Sequence, residues 1–429
     1  MPLTNKQSHS RSGQKRRKNN SSGNQALPVT GRKRTKTKLG KRTLGDNDNH
    51  DNDNDNDNDH HGESRDSSDW MGRCDVVWTR YSSLGKIGKG TYGVVYKARD
   101  KSKKNNNDND NHNEIVALKK CWNHHQDDHG FPVTTLREIQ TLRQCRTCPS
   151  IVKLLNVAVS STAVYLSLEY CPHDIAHLVD GHFSLFKRSP FQEQHVRRLM
   201  RQLLQALDFL HEQCGIIHRD LKLSNLLYTA DGDLKLADFG LARPLRPSGM
   251  TPNVVSLWYR PPEVLIGTDS YDESVDVWGA GCVMAELILG QPISKASTEI
   301  DQLVTLTNML GPLPPELVHK LPASLMSVQD EPNTDTRGGK TAISTGQNGS
   351  FLLHDLLDKL LSERGLRILL DRLLKILPSE RSSASDLLRE DGHGSTDQDT
   401  QQNHERTSHN REGYFGSSCL DVRMPRFAA

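Results

Sequence analysis

Eight residues constrain this chain more than any other stretch: His218-Arg219-Asp220-Leu221-Lys222-Leu223-Ser224-Asn225. An acid, a lysine and an amide stand at short fixed spacing, between a helical pattern and a β-like run. Such a loop brings a proton acceptor, a phosphate-binding cation and a metal ligand within reach of one another. Eighteen residues after Asp220 comes a second acid on a turn, Asp238-Phe239-Gly240. Alone, the first triplet is a chance match and the second an ordinary turn, so the flanking chain has to decide.

Upstream, Val196, Leu199, Met200, Leu203, Leu204, Leu207 and Leu210 recur at helical spacing and predict a strongly amphipathic helix running into the loop. Tyr81 to Ala98 alternates like two strands joined by Ile87-Gly88-Lys89-Gly90-Thr91-Tyr92-Gly93-Val94-Val95-Tyr96. A glycine pattern of this kind is weak evidence, because dinucleotide-binding folds use it too. There it opens a helix; here it is followed by residues that prefer strand. Glycines let the turn lie close over a triphosphate, with backbone N–H groups on phosphate oxygens. Glu114 to Lys119 reads as the next strand and places Lys119 as a cation for phosphates. Phe131 to Leu142 reads as a helix, with Thr134 or Thr135 as cap and Leu136, Ile139 and Leu142 on one face. Glu138 on that helix can pair with Lys119. Ile151 to Tyr170 holds two more strand-like runs, Ser274 to Leu289 is an apolar buried helix, and Leu352 to Leu377 is helical again. The expectation is a small β-rich lobe, then a helical lobe, with the chemistry between them.

In order and at compatible spacing, the glycine loop, Lys119, Glu138, Asp220, Asn225 and Asp238 leave little room for chance. From about Tyr81 to Leu388 the chain resembles the eukaryotic protein kinases, and within them the cyclin-dependent kinases. Pro132-Val133-Thr134-Thr135-Leu136-Arg137-Glu138 is similar to the PITSLRE form of the cyclin-binding helix. Tyr259-Arg260-Pro261-Pro262-Glu263 is similar to the family's YRAPE, with Pro261 in place of alanine, and Glu299-Ile300-Asp301-Gln302-Leu303 matches a further signature.

The resemblance implies a bilobal α+β fold. Its small lobe spans about 78–171 with a polar insertion at 103–113. Its larger helical lobe spans 172–429 with insertions at 330–350 and 391–412, and a disordered tail covers 1–77. It implies ATP and Mg2+ as cofactors. Asp220 would accept or orient the substrate proton, Lys222 would neutralise the transferred group, and Lys119 and Glu138 would complete the catalytic set. Asn225 and Asp238 would hold magnesium, which prefers oxygen ligands. Nucleotide contacts would come from Ile87, Gly88, Lys89, Gly90, Thr91, Tyr92, Gly93, Val95, Ala117, Lys119 and Leu227. Further contacts would come from Leu168 as gatekeeper, Glu169 and Cys171 through their backbone, and Asp174. Thr251 before Pro252 matches an activating phosphothreonine, and Arg137, Arg219 and Arg243 match the arginines that would gather its phosphate. Thr91 and Tyr92 match a pair whose phosphorylation inhibits family members. Val254 and Val255 match a segment that selects proline after the acceptor. Ser256 stands where the family has Thr but keeps the hydroxyl, and Glu263 and Arg381 match a structural ion pair.

The implied activity is ATP-dependent phosphorylation of Ser/Thr-Pro sites in proteins, requiring a cyclin bound at Pro132–Glu138 and serving the cell cycle or transcription. A mitogen-activated relative would carry a Thr-x-Tyr pair in the segment before Ser256, and Ser248 to Ser256 has none. A kinase-fold scaffold without catalysis would have lost Lys119, Asp220 or Asp238, and all three are present.

Composition separates the tails from this body. The 429 residues carry a net charge of +2, yet residues 1–45 hold many Lys and Arg and no acid, and 46–60 alternate Asp and Asn. No aromatic precedes Trp70, so this region cannot build a core. Lys15-Arg16-Arg17-Lys18 and Arg32-Lys33-Arg34 suit a nuclear import receptor better than direct nucleic-acid binding. Localisation in the nucleus, with the cytoplasm second, follows as an expectation. No apolar run approaches the ~18 residues that span a bilayer, and no apolar signal core opens the chain. The cysteines show no disulfide-framework spacing, and Cys145-Arg146-Thr147-Cys148 lacks the second pair a zinc site needs.

Overall fold

The computed structural model describes residues 77–90, 93–102, 114–121, 133–160, 163–245, 255–268, 271–322, 352–392 and 424–425. The basic and Asp/Asn-rich tail, Thr91, Tyr92, Pro132, Thr251, Val254 and the insertions at 103–113 and 330–350 lie outside these residues, as does the insertion at 391–412 beyond its first two residues.

Strands β1 (Tyr81–Gly90), β2 (Gly93–Asp100), β3 (Ile115–Cys121), β4 (Leu154–Val159) and β5 (Val164–Glu169) form one antiparallel sheet in the order β1-β2-β3-β5-β4. Alternation along β3 sends Val116 and Leu118 into an outer core with Tyr81, Ala98 and Tyr165. It sends Lys119 and Cys121 to the opposite face. A short helix, α1 (Val77–Arg80), closes the outer core, where Trp78 meets Tyr96 and Tyr165 edge-on at 6.0 and 5.9 Å. The two strands flanking the first insertion are sewn together at its base. Asp100 N–H donates to the Glu114 carbonyl (2.9 Å), Lys101 N–H to the Arg80 carbonyl (2.9 Å), and Arg80 pairs with the Asp100 carboxylate.

Helix α2 (Val133–Gln144) crosses the inner face of this lobe. Of the three residues expected on one face, Leu142 is buried and Ile139 packs against the inner core, while Leu136 departs from them. The buried positions are Thr135, Glu138, Thr141 and Leu142, whereas Leu136 is 48% exposed. Thr134 and Thr135 lie within the first turn instead of capping it. The face turned inward is the one that carries Glu138 to Lys119, and Leu136 falls off that face.

The helical lobe is built on α4 (Glu193–Asp208) and α6 (Ser274–Leu289), which pack together. The α4 stripe from Val196 to Leu207 is buried, and α6 is buried on nearly every side. Preceding α4 are β6 (His173–Asp174) and α3 (Ile175–Phe186). After α4, one π turn (Phe209–Gln213) leads to β7 (Ile216–Ile217). Hairpin β8 (Leu226–Tyr228) and β9 (Leu234–Leu236) follows, β6 pairs with β8, and β10 (Arg243–Pro244) pairs with β7. The remaining α-helices among the described residues are α5 (Pro262–Leu265), α7 (Glu299–Leu310), α8 (Pro315–Val318), α9 (Leu352–Leu360), α10 (Arg364–Leu373) and α11 (Ala384–Gly392). The helical stretch expected over Leu352–Leu377 consists of two helices. The break forms because the Glu193 carboxylate accepts the N–H groups of Ser362 and Glu363, both at 2.9 Å. Pro261 fits its place without strain, since φ −75° suits its ring and its carbonyl accepts from Val264 and Leu265 at the start of α5.

Two buried acids tie this lobe together. Arg381 grips Glu263 bidentately at 2.7 Å for each bond. Glu286 of α6 accepts the Tyr259 hydroxyl at 2.5 Å. Burial pushes the Glu286 carboxyl from 4.5 up to about 7, and neighbouring Asp180 adds to it against Tyr259 and Lys295. A carboxyl raised on folding favours the folded state while protonated. Its contribution is full below pH 4.5 and is lost as pH rises through about 7, a loss of about 3 kcal/mol. The melting temperature should thus fall between about pH 4.5 and 7 and level off above that, and Glu286→Gln should flatten that slope. A slope equally steep in the variant would assign it to other groups.

Candidate active site

The two lobes meet at three charges. The Lys119 ammonium lies 2.7 and 3.0 Å from the Glu138 carboxylate oxygens and 2.9 Å from Asp238 Oδ1. Burial works against the charge on Lys119, but Glu138 and Asp238 outweigh it and hold the pKa above the ordinary lysine value. Burial likewise opposes ionisation of Asp238, yet Lys119 keeps its pKa low, so it is a carboxylate at neutral pH. Asp238 adopts left-handed backbone, φ 64° and ψ 76°, as it enters the turn Phe239–Leu241, a conformation Asp tolerates better than most residues.

The catalytic stretch hangs from Asp276 of α6. One Asp276 oxygen accepts from Arg219 N–H (2.8 Å); the other accepts from His218 N–H (2.7 Å) and meets His211 Nε2 at 2.9 Å. Burial would raise this carboxyl, but the His211 contact and the backbone donors hold it low. Gly279 permits the close approach: a Cβ there would stand 2.8 Å from Leu221 Cβ. Arg219 itself has φ 68°.

Within the loop, Asn225 Nδ2 donates to the Asp220 carbonyl (2.8 Å) and to Asp220 Oδ2 (3.1 Å), which leaves Asn225 Oδ1 as its acceptor. Lys222 Nζ reaches Asp220 Oδ2 at 2.7 Å and Ser256 Oγ at 3.2 Å, and Ser256 Oγ donates to Asp220 Oδ1 at 3.0 Å. The structure thus brings Asp220, Lys222, Asn225 and Ser256 into one hydrogen-bonded set, and Lys119, Glu138 and Asp238 into another.

Several of the predicted nucleotide contacts lie on the strands around Lys119, in the second set. Ile87, Gly88, Lys89 and Gly90 end β1, and Ile87 is 49% exposed. Gly93 starts β2 with φ 157°, where a Cβ would strike the Lys120 carbonyl at 1.9 Å, so the hairpin lies on β3 as only glycine allows. At Gly90 a Cβ would meet nothing within 4 Å, which leaves the room a phosphate chain needs. Val95 is registered opposite Lys119, Ala117 opposite Leu168, and Leu227 opposite Asp174. Glu169 N–H is already bonded to the Lys153 carbonyl (2.9 Å), so the backbone group it retains for a ligand is its carbonyl. Cys171 is buried at the end of this strand. Asp174 Oδ1 caps α3 on His177 N–H at 2.7 Å. Asn225 Oδ1 and the Asp238 carboxylate are hard oxygen donors, a set that fits a magnesium ion.

Of the three arginines expected near Thr251, Arg219 is 1% exposed and is tied through Nε to the Leu241 carbonyl and through Nη1 to the Tyr271 hydroxyl, both at 2.9 Å. Arg243 Nη1 donates to the Ala242 carbonyl (3.0 Å), and Arg137 is half-buried on α2. Asp276, His211 and Tyr271 escaped the sequence reading. The signal for Asp276 was there: an acid inside the apolar run Ser274–Leu289 needs buried donors. The CxxC pair does not close on itself. Cys145 Sγ lies 3.7 Å from Cys214 Sγ, and burial pushes both thiols up. The described cysteines are free thiols, and no metal-binding cluster of His, Cys, Asp and Glu exists among the described residues.

Comparison with known proteins agrees with this geometry. Residues 81–391 match the protein kinase domain. The chain is 39% identical over 329 residues to cyclin-dependent kinase 10 of Rattus norvegicus, covering 74% of this chain and 81% of the relative. It is 44% identical over 237 residues to a probable cyclin-dependent kinase 10 of Dictyostelium discoideum, covering 54% of this chain and 60% of that one. It is 39% identical over 234 residues to the CTD kinase subunit alpha of Schizosaccharomyces pombe, covering 54% and 37%. With its two lobes, its hung catalytic loop and these relatives, the chain belongs to the protein kinase family, as a serine/threonine kinase of the cyclin-dependent type.

Proposed function

We propose that the chain transfers the γ-phosphoryl group of ATP to Ser or Thr hydroxyls followed by proline, under the control of a cyclin. The observation that carries this reading is the hydrogen-bonded set of Asp220, Lys222 and Ser256 beside Asn225. Asp220 takes or orients the hydroxyl proton of the acceptor through the oxygens that Ser256 and Lys222 now occupy. Lys222 then meets the negative charge that builds on the transferred group. Lys119, fixed by Glu138, would hold the nucleotide's α and β phosphates, and Asn225 with Asp238 would hold magnesium. ATP and magnesium supply the phosphoryl group and its charge neutralisation; the chain supplies position and field.

Proline selection rests on Val255, whose φ of 72° is a strained value for a β-branched residue. Arg260 takes its carbonyl through Nε (3.4 Å) and Nη2 (3.1 Å). A substrate residue with an N–H at that position finds no acceptor, and proline has no N–H to satisfy. Cyclin control is supported by α2, which leaves Val133 58% and Leu136 48% exposed beside the buried Glu138, and by the names of the relatives. A phosphate on Thr251 would draw on Arg137, Arg243 and the remaining Nη2 of Arg219. The basic clusters at Lys15–Lys18 and Arg32–Arg34 support nuclear import, and the name of the fission-yeast relative supports a transcription-linked role.

The test is a phosphotransfer assay on Ser-Pro peptides, using full-length chain purified together with its cell-derived cyclin. Asp220→Asn should lower turnover by at least about 100-fold, the usual scale for a lost general base; activity equal to wild type would sink the reading. In the same assay, Arg260→Ala frees the Val255 carbonyl. The preference for Ser-Pro over Ser-Ala, read as a ratio of kcat/KM, should fall on the order of tenfold. An unchanged ratio would remove Val255 and Arg260 from proline selection.

A further inference from the structure

The kinase-domain match ends at residue 391, yet Met424 belongs to the buried core of the helical lobe and is 6% exposed. It lies against the turn of the β8–β9 hairpin. Gly232 in that turn has φ 88°, and a Cβ on it would stand 2.4 Å from Met424 Cβ and 2.9 Å from its Cγ. The next residue, Pro425, accepts the Tyr228 hydroxyl through its carbonyl at 2.7 Å. Tyr228, the last residue of β8, is 1% exposed and packs on Phe191. Helix α4 grips the hairpin from its own side: Arg198 and Gln202 donate to Asp233 Oδ1 at 2.8 and 2.7 Å, and Leu234 N–H donates to Gln202 Oε1 at 2.9 Å.

The hairpin so held carries the chemistry at both ends. Asn225 stands immediately before β8 and Asp238 two residues after β9, and Ala237 N–H closes on the Asn225 carbonyl at 2.9 Å. The register Leu226↔Leu236, Leu227↔Lys235, Tyr228↔Leu234 therefore sets how far apart those two side chains stand. Magnesium demands near-ideal octahedral geometry, and sites are sensitive to displacements of about 0.5 Å. A piece that fixes the hairpin's turn and its Tyr228 also fixes the metal ligands.

We propose that Met424 and Pro425 are positioning residues for phosphoryl transfer. They form a strap from beyond the matched domain that seats the β8–β9 hairpin and, through it, Asn225 and Asp238. The proposal rests on the reading of those two residues as magnesium ligands.

Full-length wild type, Met424→Ala, Met424→Leu and Tyr228→Phe are titrated with the fluorescent nucleotide mant-ATP, once with magnesium and once with EDTA. All titrations run below the melting point measured for each variant by circular dichroism. The ratio of the two dissociation constants reads how well the metal ligands are set. Met424→Ala and Tyr228→Phe should reduce the magnesium-dependent gain on the order of three- to tenfold, below the roughly 10–100-fold of a direct outer-shell partner. Affinity in EDTA should hold, and Met424→Leu should keep most of the gain. A lower melting point with an unchanged ratio, or equal weakening with and without magnesium, would overturn the strap. Asp238→Asn is the control: if it leaves the magnesium-dependent gain intact, the metal-ligand reading fails, whatever Met424 does.

Discussion

The active site depends on one buried carboxylate. Asp276 sits inside the apolar helix α6 and accepts from His218, Arg219 and His211. An acid in such surroundings is costly unless its lone pairs are filled. Here the filling is done by the backbone that leads into Asp220, so the requirement that stabilises the acid also aims the loop. The π turn before β7 brings His211 to the same oxygen, in keeping with the tendency of such turns to sit at functional sites. Leu221, pressed on Gly279, holds the far side of the loop against α6. The catalytic geometry is thus inherited from α6, a helix buried on nearly every side.

The small lobe joins through electrostatics instead of packing alone. Lys119 lies between two acids from different parts of the chain, Glu138 on α2 and Asp238 after β9. Burial raises the Glu138 carboxyl, with Asp238 adding to it against Lys119, so the three groups share one tightly coupled network across the two lobes. The same contacts fix the rotation of α2 about its axis. That rotation turns Val133 and Leu136 outward and explains why an apolar pair stands in solvent beside a buried glutamate.

Much of this was legible in the sequence, for physical reasons that can be named. Strand alternation, the α4 stripe and the motif spacing are local patterns, and they survive folding because burial on one face demands them. On α2 the apolar period places Ile139 and Leu142 but not Leu136, because the inner face of that helix is also set by the Glu138–Lys119 pair, which hydrophobic periodicity does not register. The break at 361–363 was hidden because its cause, Glu193, lies far upstream and acts through the side chain. Asp276, Tyr271 and Met424 were missed for a common reason. Each acts on a partner tens to nearly two hundred residues away, and no window along the chain contains both.

The seam at the base of the first insertion has a consequence of another kind. Asp100 and Glu114 are joined backbone to backbone, with Lys101 and Arg80 bonded beside them. Strand β2 ends at Asp100 and β3 begins at Ile115, and lengthening a loop between them costs only about 0.6 kcal/mol per doubling. A change in the length of that stretch is therefore thermodynamically mild. The position is a natural port: a fluorescent reporter or affinity tag spliced between residues 103 and 113 would ride on the small lobe without entering the path from Asp276 to Asp220.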